Sequence, residues 1–258
     1  MHDRLIKFDR ILNFRDFGGW DTVDGGRIHR GVLFRSAAFH DASDADIEKL
    51  NAMGVRFLVD LRRPEERTHE PNKWPGETTR SIFNEDGYGA ALPPHLQALL
   101  QDDLTAKTVR DYMLHIYRAF AFEARHIDLY RSWFRELAEG GPAIIHCAAG
   151  KDRTGLGCAL TLLTLGVPEE AVFADYEFTN QAVDIEARLP RIKARMEERL
   201  QRKLDADALR PMLGVHVDYL RGALDEIAER HGSVEAYMRD VLGVGARERD
   251  ALRARLRG

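Results

Sequence analysis

The chain has 258 residues and a mass of 29.4 kDa, enough to bury a large core in one domain or two. Charged residues make up 31% and hydrophobic residues 44%, the balance of an ordinary soluble enzyme, and a formal net charge of −4 excludes a global basic field that would draw the chain to nucleic acid. No apolar run reaches bilayer length, and the charged opening Met1-His2-Asp3-Arg4-Leu5-Ile6-Lys7 is not a signal-peptide pattern.

In chain order, Asn13-Phe14-Arg15-Asp16 reads as a structural corner with its charges paired; the functional alternative brings Arg15 near an anion site. Two β-like runs flank Asp24-Gly25-Gly26 and predict a hairpin ending near Phe34. Residues 43–53 predict a short amphipathic helix, capped by Asp41 or Ser43 and ended by Gly54. Residues 55–61 lack alternation, as a strand buried on both faces should, and end in Asp60-Leu61-Arg62. Ligands of open α/β sheets sit outside the carboxyl ends of strands, so Asp60 and Arg62 can reach such a site; a plain salt link is the equal alternative. Residues 80–84 predict another strand, followed by the loop Glu85-Asp86-Gly87-Tyr88-Gly89.

Val109, Tyr112, Met113, Ile116, Tyr117 and Phe120 repeat at helical spacing, as do Ile127, Tyr130, Phe134 and Leu137. These stripes read as core. His115 and His126 lack companions at metal-ligand spacing and read as ordinary helix residues, so no metal site is expected. Residues 168–181 predict a helix, 185–204 a heavily charged helical stretch, and Val217, Leu220, Leu224 and Ile227 one more, with a further helix from Ser233. No repeat or linker interrupts the chain. A single α/β domain, with a central mostly parallel sheet, flanking helices and additional C-terminal helices, is the expected architecture.

The stretch Ile144-Ile145-His146-Cys147-Ala148-Ala149-Gly150-Lys151-Asp152-Arg153-Thr154-Gly155 organises the rest. A buried strand over 143–147 and a buried helix over 156–165 enclose a turn rich in Ala and Gly. Successive N–H groups of such a turn point into one concavity, and the helix adds its own unpaired N–H groups and positive dipole end. Cys147 at the floor of this field favours thiolate, and the Arg153 fork can hold two oxygens of a tetrahedral anion. Thr154 either donates to the sulfur or caps the helix. The loop is not a Walker loop, because Asp152 follows Lys151 and Ile145 stands where the first Gly belongs. Cys147 and Cys158 lie roughly 15 Å apart along a helix, beyond disulfide reach. A reducing, cytoplasmic compartment follows by default, with export by an unrecognised route left open.

Cys-x5-Arg preceded by His and followed by Thr-Gly resembles the active-site loop of the Cys-dependent protein tyrosine phosphatases. The form His-Cys-x-x-Gly-Lys-Asp-Arg-Thr-Gly is similar to that of a bacterial branch acting on tyrosine and lipid phosphates. Further pieces resemble the same branch: residues 13–19 (Asn-Phe-Arg-Asp-Phe-Gly-Gly), Leu33-Phe34-Arg35-Ser36-Ala37, Asp60-Leu61-Arg62, Ala174-Asp175-Tyr176 with Asn180, and Val217-Asp218-Tyr219-Leu220. The resemblance spans most of the chain and implies a phosphatase-like α/β fold over residues 1–258, with a helical lid about 184–212.

It also implies a metal- and cofactor-independent phosphomonoesterase that passes through a phosphocysteine. Phosphotyrosine, phosphoserine or phosphothreonine, or a phosphoinositide is the substrate, and inorganic phosphate the product. Cys147 is the expected nucleophile, with residues 148–153 (Ala148, Ala149, Gly150, Lys151, Asp152 and Arg153) binding phosphate. Asp152 is the preferred general acid, with Asp60 and Asp86 behind it. Lys151 is expected as a second cation at the rim, and His146 as support behind the Cys147 backbone. A sulfurtransferase and a silent phosphate-binding module are the competing classes; the Arg-Thr-Gly ending disfavours the first, and an intact Cys147 and Arg153 the second.

Overall fold

The computed structural model describes residues 2–75, 79–85 and 104–258. Five described strands form one sheet: β1 (Arg15–Asp16), β2 (Leu33–Ser36), β3 (Phe57–Asp60), β4 (Arg80–Ile82) and β5 (Ala143–His146). Their order is β1-β2-β5-β3-β4, with only the β1–β2 pair antiparallel. β5 is therefore central, and helices cover both faces, which is why its side chains read as an unbroken apolar run. Leu33, Phe57, Val59 and Ile145 face one hydrophobic cluster; Phe34, Leu58 and Ile144 face a second. Ser36, His146 and Asp60 stand in register at the carboxyl edge, so the chains leaving β2, β5 and β3 converge there.

The second cluster is closed by helix α1 (Asp44–Ala52), with Ser43 as its N-cap. The described helices of the larger layer are α3 (Ala106–Phe120), α4 (Ala124–Glu139), α5 (Asp152–Thr164), α6 (Glu169–Glu177) and α7 (Thr179–Val183), then α8 (Ile185–Leu200), α9 (Ala206–Leu213), α10 (Val217–His231), α11 (Val234–Asp240) and α12 (Ala246–Leu256). Helix α5 is buried almost all round; Leu156, Leu160 and Leu162 are fully enclosed, each contributing roughly 1.5–3 kcal/mol. A short helix α2 (Pro64–His69) follows β3.

Several boundaries differ from the sequence expectation. The hairpin around Asp24-Gly25-Gly26 shrinks to one bridge, Asp21 to Arg27, because Asp16 accepts from the N–H groups of Gly18 and Gly31 and turns the chain so that β1 pairs with β2. The helix expected over 168–181 divides at Phe178. Helices α2 and α12 were not expected. In α12 the buried positions include Leu252 and Leu256 among many charges, too thin a stripe to register.

Candidate active site

Cys147 follows β5 directly and is 2% exposed. The carbonyls of its loop are turned outward and held. The side-chain amide of Asn13 donates to Ala149 O (3.1 Å) and Gly150 O (2.8 Å), and Arg35 Nη2 donates to Gly150 O (2.9 Å). Ala38 N donates to Ala148 O, Tyr130 Oη to Arg153 O (2.7 Å), and His146 Nδ1 lies 3.2 Å from Cys147 O. By contrast, the backbone N–H groups of Ala148 through Arg153 donate to no described residue. A peptide whose carbonyl faces out presents its N–H inward, so the loop encloses unspent donors at the start of α5. Gly150 makes this possible: its φ is +66°, and a Cβ there would lie 2.3 Å from Ser36 O.

The clamp is itself braced. Asp175 accepts from Arg35 Nη1 at 2.8 Å and Arg15 Nε at 3.4 Å, all three residues being buried. Arg15 Nη1 also donates to Asn13 Oδ1 and Nη2 to Thr179 Oγ1. Asn13 itself sits at φ +58°, in the left-handed region. The structure thus gives Arg15 the structural reading: it orders the Asn13 corner rather than facing the loop's concavity.

Arg153, in the first turn of α5, is held by a residue the sequence did not single out. Glu66 on α2 accepts from Arg153 Nη1 (2.6 Å) and Nη2 (2.8 Å), and Leu61 O accepts from Nη1 (3.1 Å). Burial works against the Arg153 charge, but Glu66 more than offsets it, so its pKa lies above the ordinary arginine value. The Nε–Nη2 edge remains, with no Nε partner among the described residues, and is a second fork of the right shape for two phosphoryl oxygens. Glu66 was detectable in principle: Pro64 at the first helical position and acids in the first turn mark a helix start just after β3.

Asp152 lines the same cavity as Cys147 and Arg153. Tyr117 Oη donates to its Oδ1 at 2.5 Å, and Tyr176 Oη donates to Tyr117 Oη at 2.6 Å. Lys151 departs from expectation. Rather than standing at the rim, it is 7% exposed, and its ammonium donates to Met212 O and to Gly214 O (3.1 Å), at the carboxyl end of α9, where helix carbonyls lack intrahelical partners. Its backbone N–H stays with the loop, and its ammonium also lies 3.4 Å from Asp152 Oδ1.

Asp60 and Arg62 form the salt link: Arg62 Nε and Nη2 both donate to the Asp60 carboxylate, and His146 Nε2 lies 3.5 Å from Asp60 Oδ2. Burial opposes the Asp60 charge, yet His146 and Arg62 hold its pKa below the usual carboxylate range. Asp60 is absent from the residues lining the cavity, so it braces the loop from behind. Thr154 is fully buried and its hydroxyl finds no partner among the described residues, neither sulfur nor backbone. Burial pushes the Cys158 thiol up to about 12, a packing residue as its place in α5 suggests. Asp86 lies outside the described residues.

The cavity has a volume of about 640 Å³. Its apolar lining comes from Met113, Ile116 and Phe120 of α3, Ile192 and Met196 of α8, and Met212 and Leu213 of α9. Arg10, Arg63, Arg188, Arg191 and Arg195 stand around it. His126 also lines it, fully buried and neutral, since burial and then Arg153 hold its pKa well below the ordinary imidazole value.

The loop thus sets a buried cysteine beside a ring of unspent amides, with an arginine on the first turn beyond. The profile of the tyrosine phosphatase family matches residues 6–258. The chain belongs to the tyrosine phosphatase family. A Cupriavidus necator protein provisionally named a tyrosine-protein phosphatase is 31% identical over 94% of this chain and 85% of its own length. The triple specificity protein phosphatase PtpB of Mycobacterium tuberculosis is 29% identical over 88% of this chain and 90% of its own. Among solved structures, Pseudomonas aeruginosa TpbA aligns with 80% of this chain and 97% of its own at 19% identity and a TM-score of 0.31, too loose to compare sites. The chain is a protein-tyrosine phosphatase of the bacterial branch. No described helix is long and apolar enough to cross a membrane.

Proposed function

We propose that this phosphatase hydrolyses phosphomonoesters through a phosphocysteine, with Cys147 as nucleophile, Arg153 and the amides of residues 148–153 as phosphate site, and Asp152 as acid. The thiolate attacks phosphorus in line with the ester oxygen, forming the S–P bond as the P–O bond breaks. The inward amides and the free Arg153 edge hold the non-bridging oxygens throughout. Asp152 protonates the departing oxygen. Its conjugate base then takes a proton from water as that water attacks phosphorus, the S–P bond breaks, and inorganic phosphate leaves. One observation carries the reading: the carbonyls of Ala148, Ala149, Gly150 and Arg153 accept from residues outside the loop, while the N–H groups of residues 148–153 donate to no described residue.

Phosphotyrosine is the substrate the family supports. We extend it to phosphoserine, phosphothreonine and phosphoinositides, because PtpB is named for triple specificity and because the cavity joins an apolar lining to several arginines. Helices α8 and α9 are read as a lid, about 184–212, within a single domain spanning 1–258. The test is a panel of phosphopeptides and phosphoinositides assayed with wild type and Cys147→Ser. Wild type should turn over phosphotyrosine, be blocked by vanadate, and yield a phosphorylated Cys147 peptide after acid quenching. Cys147→Ser should bind the same substrates without turnover; residual turnover by that variant would sink the mechanism.

A further inference from the structure

The steps above leave two buried hydroxyls behind Asp152 unused. Tyr117 on α3 is fully buried, and Tyr176 on α6 nearly so. Their rings meet edge to face with centroids 6.3 Å apart, and Gly155 gives Tyr176 its place, since a Cβ there would lie 2.8 Å from the ring. The direction of the hydrogen bonds follows from the inventory of protons. A carboxylate only accepts, so the single Tyr117 proton goes to Asp152 Oδ1, and the Tyr117 oxygen accepts from Tyr176. Burial, with Asp152 next, holds the Tyr117 proton firmly, and burial does the same for Tyr176, so neither phenol is itself the acid.

The two carboxyl oxygens of Asp152 are therefore unequal. Tyr117 takes Oδ1, and the Lys151 ammonium, 3.4 Å away, faces the same atom. Oδ2 makes no hydrogen bond to a described residue, while Asp152 as a whole lines the cavity holding Cys147. We propose that Tyr117, backed by Tyr176, is a positioning residue that fixes Oδ1 of Asp152 and leaves Oδ2 as the oxygen that exchanges a proton with the leaving group. A carboxyl free to rotate would present either oxygen at many angles, and a positioned group gains its rate from having lost that freedom. The donor chain is cooperative, each bond polarising the next, so removing the remote hydroxyl weakens the near one without abolishing it.

This rests on Asp152 being the acid, and the experiment separates the two claims. It measures kcat/KM, which reports steps through leaving-group departure, for phenyl phosphate and for 2,4-dinitrophenyl phosphate, whose leaving group needs no proton. The variants are Asp152→Asn, Tyr117→Phe, Tyr176→Phe and the double variant Tyr117→Phe/Asp152→Asn. Asp152→Asn should lower phenyl phosphate turnover by about 10²-fold or more and affect the activated ester little. Tyr117→Phe should lose about 10-fold on phenyl phosphate and stay within about twofold on the activated ester, with Tyr176→Phe smaller in the same sense. The double variant should be no worse than Asp152→Asn alone, because the tyrosine acts only through that carboxyl. Equal losses on both esters, or additive losses in the double variant, would overturn the positioning role while leaving the acid intact. An Asp152→Asn variant without leaving-group dependence would remove the acid, and this inference with it. Should Tyr117→Phe not fold, Tyr176→Phe decides by the same ratio of esters.

Discussion

At the scale of single residues, the arrangement of Arg153 is an exercise in dividing a fork. Guanidinium offers two bidentate edges, and Glu66 takes one, fixing the plane in which the other is presented. The carboxylate also neutralises a cation that would otherwise stand buried and alone before substrate arrives. Removing it should therefore free the arginine to wander, not to bind better. Glu66→Gln retains the shape and loses the charge-assisted pair, and should lower kcat/KM for a phosphotyrosine peptide by roughly 10- to 150-fold, the equivalent of the ~1.5–3 kcal/mol of a hydrogen bond to a charged group. A variant as active as wild type would show that Arg153 is positioned by Leu61 O and packing alone.

At the scale of elements, the loop is tied to parts of the chain that sequence order keeps far apart. Asn13 reaches Gly150 across 137 positions, Arg35 reaches Asp175 across 140, and Glu66 reaches Arg153 across 87. The strand, loop and helix around Cys147 were legible because local rules govern them: an apolar run, a glycine at positive φ, a buried helix. The clamp was visible only as motif fragments, since its partners meet through the strand order β1-β2-β5-β3, which no local pattern encodes. Tyr117 was rightly read as core, but a buried phenol also needs a partner for its hydroxyl, and that partner proved to be Asp152. Lys151 misled for a related reason. From sequence it is a cation beside a phosphate loop; in the fold it closes the carboxyl end of α9. Lys151→Met should cost about 1.5–3 kcal/mol of stability and speed amide exchange across 206–213, with smaller effects elsewhere. Unchanged exchange there would mean that α9 is held by its apolar contacts without the lysine.

At the scale of the whole molecule, two buried titrating groups contribute to how stability responds to acid, in separate windows. His126 has a folded pKa well below its unfolded value of about 6.5, so below that pH the unfolded chain binds a proton that the folded chain refuses. Its neutral state is consistent with its surroundings: the Phe120 carbonyl lies 3.1 Å from Nδ1, Arg153 and Arg125 oppose a charge, and the proton affinity of neighbouring Glu123 is raised, so the 3.6 Å contact between them is not a strong ion pair. Stability from this residue is complete above about pH 6.5 and declines as pH falls, by up to about 1.4 kcal/mol per pH unit. Asp60 acts lower. Its folded pKa is depressed below an unfolded value of about 3.9, so its contribution is present above that and is lost as pH drops further. Denaturant midpoints at pH 7.5, 6 and 5 should therefore fall for wild type and fall less steeply for His126→Gln, whatever that substitution costs at neutral pH. Parallel curves for the two proteins would mean that the imidazole accepts its proton inside the fold, with Glu123 as its counter-ion, and that the cavity wall beside Arg153 carries a charge.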